Sequence, residues 1–519
     1  LGMMRDIVPN HMGVMGADNG WWLDLLENGR ASNFSGFFDV DWNPVNAALS
    51  DRVILPVLGD HYGRVLRNGE IRLAFDREAG SFSFGYYEHR FPVAPREYPQ
   101  ILRRALRNPP AELAQGVAAE LEALAASFGH LPPRSETDPE RLVERNRDKE
   151  VHKATLARLA REPRVAELIE QAVKELNGAP GDDASFDGLH ALLEAQGYRL
   201  SYWRVASDEI NYRRSFHVHE LAGLRMENEA VFEATHGLVL DLLAQGRIDS
   251  LRIDHPDGLY DPVQYFRRLQ DRFASVTGQP PGGQPLYVAI EKITAGYERV
   301  PETWPVHGAT GYRFANLVNG LFVDSENEAR MSRIYRGFVG EMPEFEQVVY
   351  RCKHAILRAA LASELNVLAN QLWRIAQASR DTRDFTLNSL RRALAEVIAC
   401  FPVYRTYITE RPSADDERFI DWAIARARKS SRAADVTIYD FVRDVLLSGG
   451  DESRPPQWRA MTRAFTGKFQ QLTGPVTATG AEATAFHVYN RLVSLNEVGG
   501  DPETFGSGVS GVRCARRDP

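Results

Sequence analysis

Residues 249–262 read Asp-Ser-Leu-Arg-Ile-Asp-His-Pro-Asp-Gly-Leu-Tyr-Asp-Pro. Leu251 and Ile253 alternate with polar residues in a run short enough for a buried strand. Pro256 and Gly258 suit neither a helix interior nor a central strand, so the strand stops before them and a loop begins. Four ionisable side chains, Arg252, Asp254, His255 and Asp257, crowd that strand end. In an α/β barrel catalytic groups project from this position. An Arg–Asp ion pair that caps a strand accounts for the same residues, so the neighbouring segments have to decide.

Upstream, Glu227 to Gln245 reads as an amphipathic helix with Gly246 as its C-terminal cap. Downstream, the spacing predicts a helix over Val263–Ala274 and a turn-rich connection over Val276–Pro285. Leu286 to Ile290 is then a continuous apolar strand that ends on Glu291-Lys292. Helix, turn, strand and loop repeat in the rhythm of a βα barrel. Asp254 and Glu291 thus stand on neighbouring strand ends, as acid/base and nucleophile work on a glycosidic bond requires. Asp254, beside Arg252 and His255, is expected to stay ionised. Glu291, at the mouth of an apolar strand, is expected to have a raised pKa and to carry a proton.

Leu1 to Val8 reads as a core strand already under way, and Pro9 delivers Asn10 and His11 to a loop. An Asn/His turn with a hydrogen-bonded imidazole accounts for that pair equally well. Trp21-Trp22 and Phe37 to Trp42 are dense in aromatics, which suits a core or a sugar subsite, since apolar sugar faces stack on rings. Residues 52–98 read as short strands and turns. Residues 111–174 read as a helical insertion broken by a loop at 129–139, its charge run (ERLVERNRDKEVHK) forming a solvated face. Tyr198 to Arg225 is denser in function-like residues, with Trp203, Arg204, Asp208, Glu209, Asn211, Tyr212, Arg213 and Arg214 within a dozen positions; an Arg/Asp/Glu network at a domain junction accounts for the same residues. Residues 329–467 are helix-rich, with Ser413-x-x-Asp416 as a capping box and Trp373, Tyr404 and Tyr407 as core.

The balance of 62 basic and 70 acidic residues, a net charge of -8, argues against non-specific nucleic-acid or anionic-membrane partners. Cys352, Cys400 and Cys514 form no disulfide framework and no metal spacing, which fits a reducing cytoplasm. No apolar run is long enough to span a bilayer.

Asp6 to His11, Leu251 to His255 and Glu291 resemble three of the four short signature regions of the α-amylase family (glycoside hydrolase family 13). The longer stretches DIVPNHM, NGWWLDLLENG, ILPVLGDHYG, YWRVASDEINYRR, RIDHPDGLYDP, GYRFANLVNGLFVD and RLVSLNEVGGDP resemble its maltooligosyltrehalose synthase branch. The resemblance implies a (β/α)8 TIM barrel with large insertions. It implies rearrangement of the reducing-end α-1,4 linkage of a maltooligosaccharide into an α,α-1,1 linkage by a retaining double displacement, with no metal or cofactor. Asp254 is then the nucleophile and Glu291 the acid/base, about 5–5.5 Å apart as in retaining enzymes. Arg252 holds Asp254 ionised, and His11 and His255 bond the sugar. Asn10, Trp21, Trp22, Tyr212 and Arg213 complete the expected substrate contacts, with a glucan chain as partner and a monomer as the assembly.

Against that pattern, the first βα units are expected to be missing before Leu1. The fourth signature, with the family's third catalytic carboxylate, is expected to be missing after Gly506, where GSGVSGVRCARRDP reads as an unnatural end. Arg313, His217, His219, Glu220 and Thr479 also depart from the family's usual residues. The expected segments are a barrel part over 1–43, an inserted subdomain over 44–200 that is β-rich then helical, and a barrel core over 201–324. A helical insertion over 325–467 and a late barrel segment over 468–519 follow. Two other readings share these residues: a non-catalytic fragment that keeps part of a glucan cleft, and a maltooligosaccharide hydrolase.

Overall fold

The computed structural model describes residues 2–44, 46–107, 115–431 and 435–508. These form two compact units. The first comprises the described residues up to His11, Ser215–Val218 and those from Leu224 onward. Its centre is a parallel sheet of β1 (Met4–Ile7), β2 (Ser250–Ile253), β3 (Tyr287–Ile290) and β4 (Gly308–Ala309), hydrogen-bonded in that order. The register aligns Ile7 with Ile253 and Ile253 with Ile290, so the three strands end level. Leu251, Ile253, Val288 and Ile290 are buried, as a parallel sheet covered by crossover helices requires.

The helices that lead into and out of β2 are bounded by their caps. Asn228 accepts the Ala230 N–H at the start of Glu229–Ala244, and Gly246 follows at φ 64°. Asp261 accepts the Gln264 N–H at the start of Pro262–Thr277, where Pro262 costs no hydrogen bond. Gly278 ends that helix at φ 70°, in the left-handed region open to glycine. Each helix returns the chain to the base of the next strand, so residues just past β2 and β3 emerge on the same edge.

Downstream, helices Ala362–Gln377, Leu387–Ala399, Ala414–Ser430, Thr437–Leu447 and Pro456–Thr477 enclose one apolar core. The Ser413/Asp416 capping box is present with both reciprocal bonds. Beyond Pro456–Thr477 the chain continues as a π-helix over Ala478–Ala485 and a short helical turn at Phe486–Val488. The described residues of 468–508 contain no strand. Residues 509–519, with Cys514, lie outside the described residues. Among the described residues the parallel sheet has four strands, and the fold is mixed α/β.

The second unit, Met12–Arg214 with His219–Gly223, pairs Val53–Leu58 in parallel with Tyr198–Tyr202. Arg72–Asp76, Ser81–Tyr86 and His89–Pro92 form an antiparallel meander. Helices Gln115–His130, Pro139–Leu159 and Pro163–Leu176 follow. The charge run on Pro139–Leu159 is only partly a solvated face. Arg145 and Lys149 are buried, and Lys149 Nζ meets Asp24 at 2.8 Å while Lys153 Nζ meets Glu27 at 2.6 Å. Acidic residues on helix Gly20–Asn28 draw these lysines inward, which a helical pattern read alone does not reveal.

Candidate active site

The ladder bonds of the parallel sheet run one residue past each strand. The Asp254 N–H donates to the Ile7 carbonyl at 2.8 Å, and the Glu291 N–H donates to Ile253 at 2.9 Å. The backbone of both carboxylate residues is thereby fixed to the neighbouring strand. Arg252, on β2, reaches across three strand ends. Its Nη1 donates to both Asp6 oxygens at 2.8 Å and to Asp254 Oδ1 at 2.7 Å. Its Nη2 lies 3.1 Å from Glu291 Oε1. A planar guanidinium is suited to such forked contacts. Glu291 also accepts the Tyr312 hydroxyl at 2.8 Å and the His255 N–H at 3.1 Å.

The two carboxyls act on each other directly, and each shifts the proton affinity of the other. The same guanidinium draws both inward. Burial, then the hydrogen bond and negative charge of Glu291, push Asp254 up to about 6, against the pull of Arg252. Burial works to raise Glu291 too, but the Tyr312 hydroxyl, Asp254, Arg252 and the His255 N–H outweigh it and hold Glu291 below its ordinary value. This reverses the order expected from sequence. The reason is a count of donors: Glu291 collects Tyr312, His255 and Arg252, whereas the one donor on Asp254 is Arg252. Tyr312 in turn is pushed up to about 12 by burial and by Glu291.

His255 sits at φ 42°, ψ 54°, a left-handed conformation that costs a non-glycine residue on the order of 1–3 kcal/mol. Its ring lies 4.9 Å from that of Phe216, itself at φ 53°. Asn10 is buried, and its side-chain amide lies 3.5 Å from His11 Nδ1. A Cβ on Gly258 would stand 2.5 Å from Asn10 Nδ2, so a residue without a side chain is what lets Asn10 pack there. Asn10, His11, Arg252, Asp254, His255 and Glu291 therefore share one unit and one edge of its sheet.

Trp21, Trp22, Tyr212 and Arg213 belong to the second unit. Trp22 and Tyr212 are buried, with ring centroids 5.3 Å apart, and Trp22 also packs edge-on against Phe38. Buried rings enclosed by other rings present no face to a sugar, so these two are core residues. Trp21 packs against Phe34 and Phe37. Arg213 is occupied by Asp39 at 2.9 Å. Tyr404 is buried as expected and Tyr407 is partly buried, while Trp373 is 36% exposed.

Sequence reasoning left Tyr312 and Glu482 out of the site. Tyr312 opens the helix Tyr312–Leu321 just after β4, and its place one βα connection beyond Glu291 was the available signal. Glu482 lies in the π-helix, partly buried, and its Oε1 accepts the Gly499 N–H at 3.0 Å. Burial raises its pKa, the Tyr404 hydroxyl and that N–H lower it, and the charge of Glu291 raises it further. Pro475 and Gly480 flag an irregular helix in sequence, but not which side chain it turns inward. Among the described residues, no group of three or more His, Cys, Asp or Glu side chains has the geometry to hold a metal ion. None of the described helices is long and apolar enough to cross a membrane.

No family model matches the chain. A curated Mycobacterium tuberculosis protein named maltooligosyl trehalose synthase is 26% identical over 531 aligned positions, which take in 98% of this chain and 49% of that protein. The solved maltooligosyltrehalose synthase of Arthrobacter ramosus matches with 28% identity and a TM-score of 0.67, over 100% of this chain and 50% of its own. A Sulfolobus tokodaii structure, described as a hypothetical maltooligosyl trehalose synthase, shares the fold at 24% identity and a TM-score of 0.60, over 98% of this chain and 48% of its own. The chain thus resembles maltooligosyltrehalose synthases in sequence and fold, and it spans about half their length.

Proposed function

We propose that the chain is the catalytic-pair-bearing part of a glucan isomerase of the maltooligosyltrehalose synthase type, a branch of glycoside hydrolase family 13. The single observation that carries this reading is the Asp254–Glu291 pair on adjacent parallel strand ends with one arginine shared between them. On this reading the four parallel strands are part of a (β/α)8 barrel. The substrate is a maltooligosaccharide. The compartment is the cytoplasm, in keeping with free Cys352 and Cys400, and the chain is a monomer.

In the proposed reaction the Asp254 carboxylate attacks the anomeric carbon of the sugar preceding the reducing-end glucose. The α-1,4 C–O bond breaks, and Glu291 gives its proton to the departing O4. A glycosyl ester on Asp254 results. The released glucose turns in place and presents its own anomeric hydroxyl to the ester. Glu291 takes the proton from that hydroxyl, the new C–O bond forms, and Asp254 leaves as carboxylate. Two inversions at one carbon retain configuration and give the α,α-1,1 linkage. Water has to be excluded, because it would compete for the same ester and release glucose.

The resting pair favours the proton on Asp254, whereas the first step needs it on Glu291. A sugar seated between the carboxyls replaces their mutual contact. That leaves Arg252 as the dominant neighbour of Asp254 and favours its ionised form. Arg252 also offsets the charge that returns to Asp254 when the ester breaks.

Incubation with maltopentaose tests the proposal. Loss of reducing ends without glucose supports the isomerase. Stoichiometric glucose release replaces that reading with the hydrolase. No turnover, with a maltopentaose-dependent chemical shift change at the Asp254 or Glu291 carboxyl, replaces it with a glucan-binding remnant.

A further inference from the structure

The residues that follow the two carboxylates are tied to each other beneath the site. Lys292, directly after Glu291, is completely buried. Its Nζ lies 3.3 Å from Asp257 Oδ2, 2.8 Å from Glu298 Oε1 and 2.9 Å from the Ile293 carbonyl. Asp257 stands three residues after Asp254 and also accepts the Tyr407 hydroxyl. Arg405 Nη1 donates to the carbonyls of Asp257 at 2.8 Å and Leu259 at 2.5 Å, and Gln471 donates to that of Gly258 at 2.9 Å. The loop after β2 is therefore pinned by its carbonyls from the helical side and by its one buried carboxylate from the β3 side.

We propose that Asp257 and Lys292, backed by Arg405 and Tyr407, form a positioning tether that sets the relative placement of Asp254 and Glu291. The proposal rests on the reading of those two as the reacting pair. Three points support it. A buried ion pair replaced by apolar residues of equal size usually costs little stability, so its presence is better explained by geometry than by net stabilisation. The tether links the β2 and β3 connections directly, where the sheet's own ladder has ended. It also brackets His255, whose left-handed backbone aims its N–H at Glu291 Oε2 and persists only where the surroundings hold it. Burial works against the charge of Lys292, but Asp257 and Glu298 hold its proton above the ordinary value. Tyr404 and Tyr407 face the ammonium with ring centroids at 5.9 and 5.7 Å. Glu291 itself faces Arg252, Asp254, Tyr312 and, at longer range, Glu482.

The test follows the Glu291 carboxyl by carbon-13 titration in the full chain, its resonance identified by its absence in Glu291→Gln. Asp257→Asn removes the charge, and Tyr407→Phe removes one hydroxyl from Asp257. Either change lets the loop relax and carries the His255 N–H away from Glu291. The expected result is a rise in the Glu291 midpoint, on the order of threefold or more in proton affinity for Asp257→Asn and smaller for Tyr407→Phe. Where the wild-type chain turns over maltopentaose, kcat is expected to fall about tenfold or more while KM stays within about threefold. Folded variants whose titrations superimpose on wild type overturn the tether, even if they melt earlier, since lower stability alone marks a structural role. If Asp257→Asn does not fold, Tyr407→Phe decides by the same titration. A wild-type chain without turnover counts against the proposed function and leaves the titration result to judge the tether.

Discussion

Replacing Asp254 with asparagine is expected to abolish turnover and to make the chain more stable at neutral pH. The carboxyl rises from an ordinary 3.8 to about 6 on folding, so the folded chain binds that proton more tightly than the unfolded chain does. Stability therefore falls as pH rises from about 4 to about 6 and stays lower above that. At 1.36 kcal/mol per unit the full displacement corresponds to roughly 3 kcal/mol. The side chain is about a quarter exposed, and solvent screening reduces the figure to about 1–2 kcal/mol. Asparagine fills the same volume, can donate to Glu291 as the protonated acid does, and never ionises. The gap between Asp254→Asn and wild type should be at its plateau at pH 7.5 and about a third of that at pH 4.5. In calorimetry the neutral-pH gain corresponds to roughly 1.5–3 °C in the midpoint of the affected unit. A variant less stable than wild type at pH 7.5, or a gap that does not change with pH, would refute the argument that Asp254 is held in a place unfavourable to its charge.

Tyr312→Phe removes the principal hydrogen-bond donor from Glu291 and should raise the titration midpoint of that carboxyl, read from the acidic limb of its carbon-13 titration; an unmoved limb would show that the hydroxyl does not bear on Glu291. Gly258→Ala places a methyl against the Asn10 amide and should cost about 1–3 kcal/mol as Asn10 is displaced, measured as a lower melting midpoint that Asn10→Ala in the same background partly restores. Gly80→Ala adds a Cβ at φ 58° against the backbone of Lys153 and should destabilise the second unit by about 2–4 kcal/mol, with hydrogen exchange accelerated in Ser81–Tyr86 and Pro139–Leu159.

Local chemistry made much of the first unit legible. Asn228, Asp261, Gly246 and Gly278 are capping residues in the positions that capping requires, so helices Glu229–Ala244 and Pro262–Thr277 could be bounded within a few residues. The strands Ser250–Ile253 and Tyr287–Ile290 follow from short apolar runs broken by proline or charge. The aromatic clusters were not legible in the same way. Trp21-Trp22 and Tyr212 have the composition of a sugar wall, and only the packing of Phe34, Phe37 and Phe38 around them separates core from surface. Composition carries no information about which face of a ring is covered. The charge run 140–153 failed for a related reason. Whether Lys149 faces water depends on Asp24, more than a hundred residues away, and helical periodicity knows nothing of that partner.

The charge state of the site exposes the same divide at closer range. The sequence shows Arg252 and His255 beside Asp254 and an apolar run before Glu291, and from neighbours in the chain the aspartate should be the ionised member. Three of the groups that decide the matter come from elsewhere in the chain or from the backbone: the Tyr312 hydroxyl, the His255 N–H and the Glu291 carboxylate itself. Arg252, the neighbour on which the expectation rested, divides its donors among Asp6, Asp254 and Glu291. Its charge therefore cannot distinguish strongly between the two carboxyls. What distinguishes them is the number of neutral donors, and those are set by the left-handed turn at His255 and by the helix that begins at Tyr312. The order of ionisation is thus a property of the loop backbone rather than of the charged residues. Changes to Tyr312 or to the tether beneath His255 should accordingly move it further than a change of charge at Asp6, whose half-exposed carboxylate is screened by solvent.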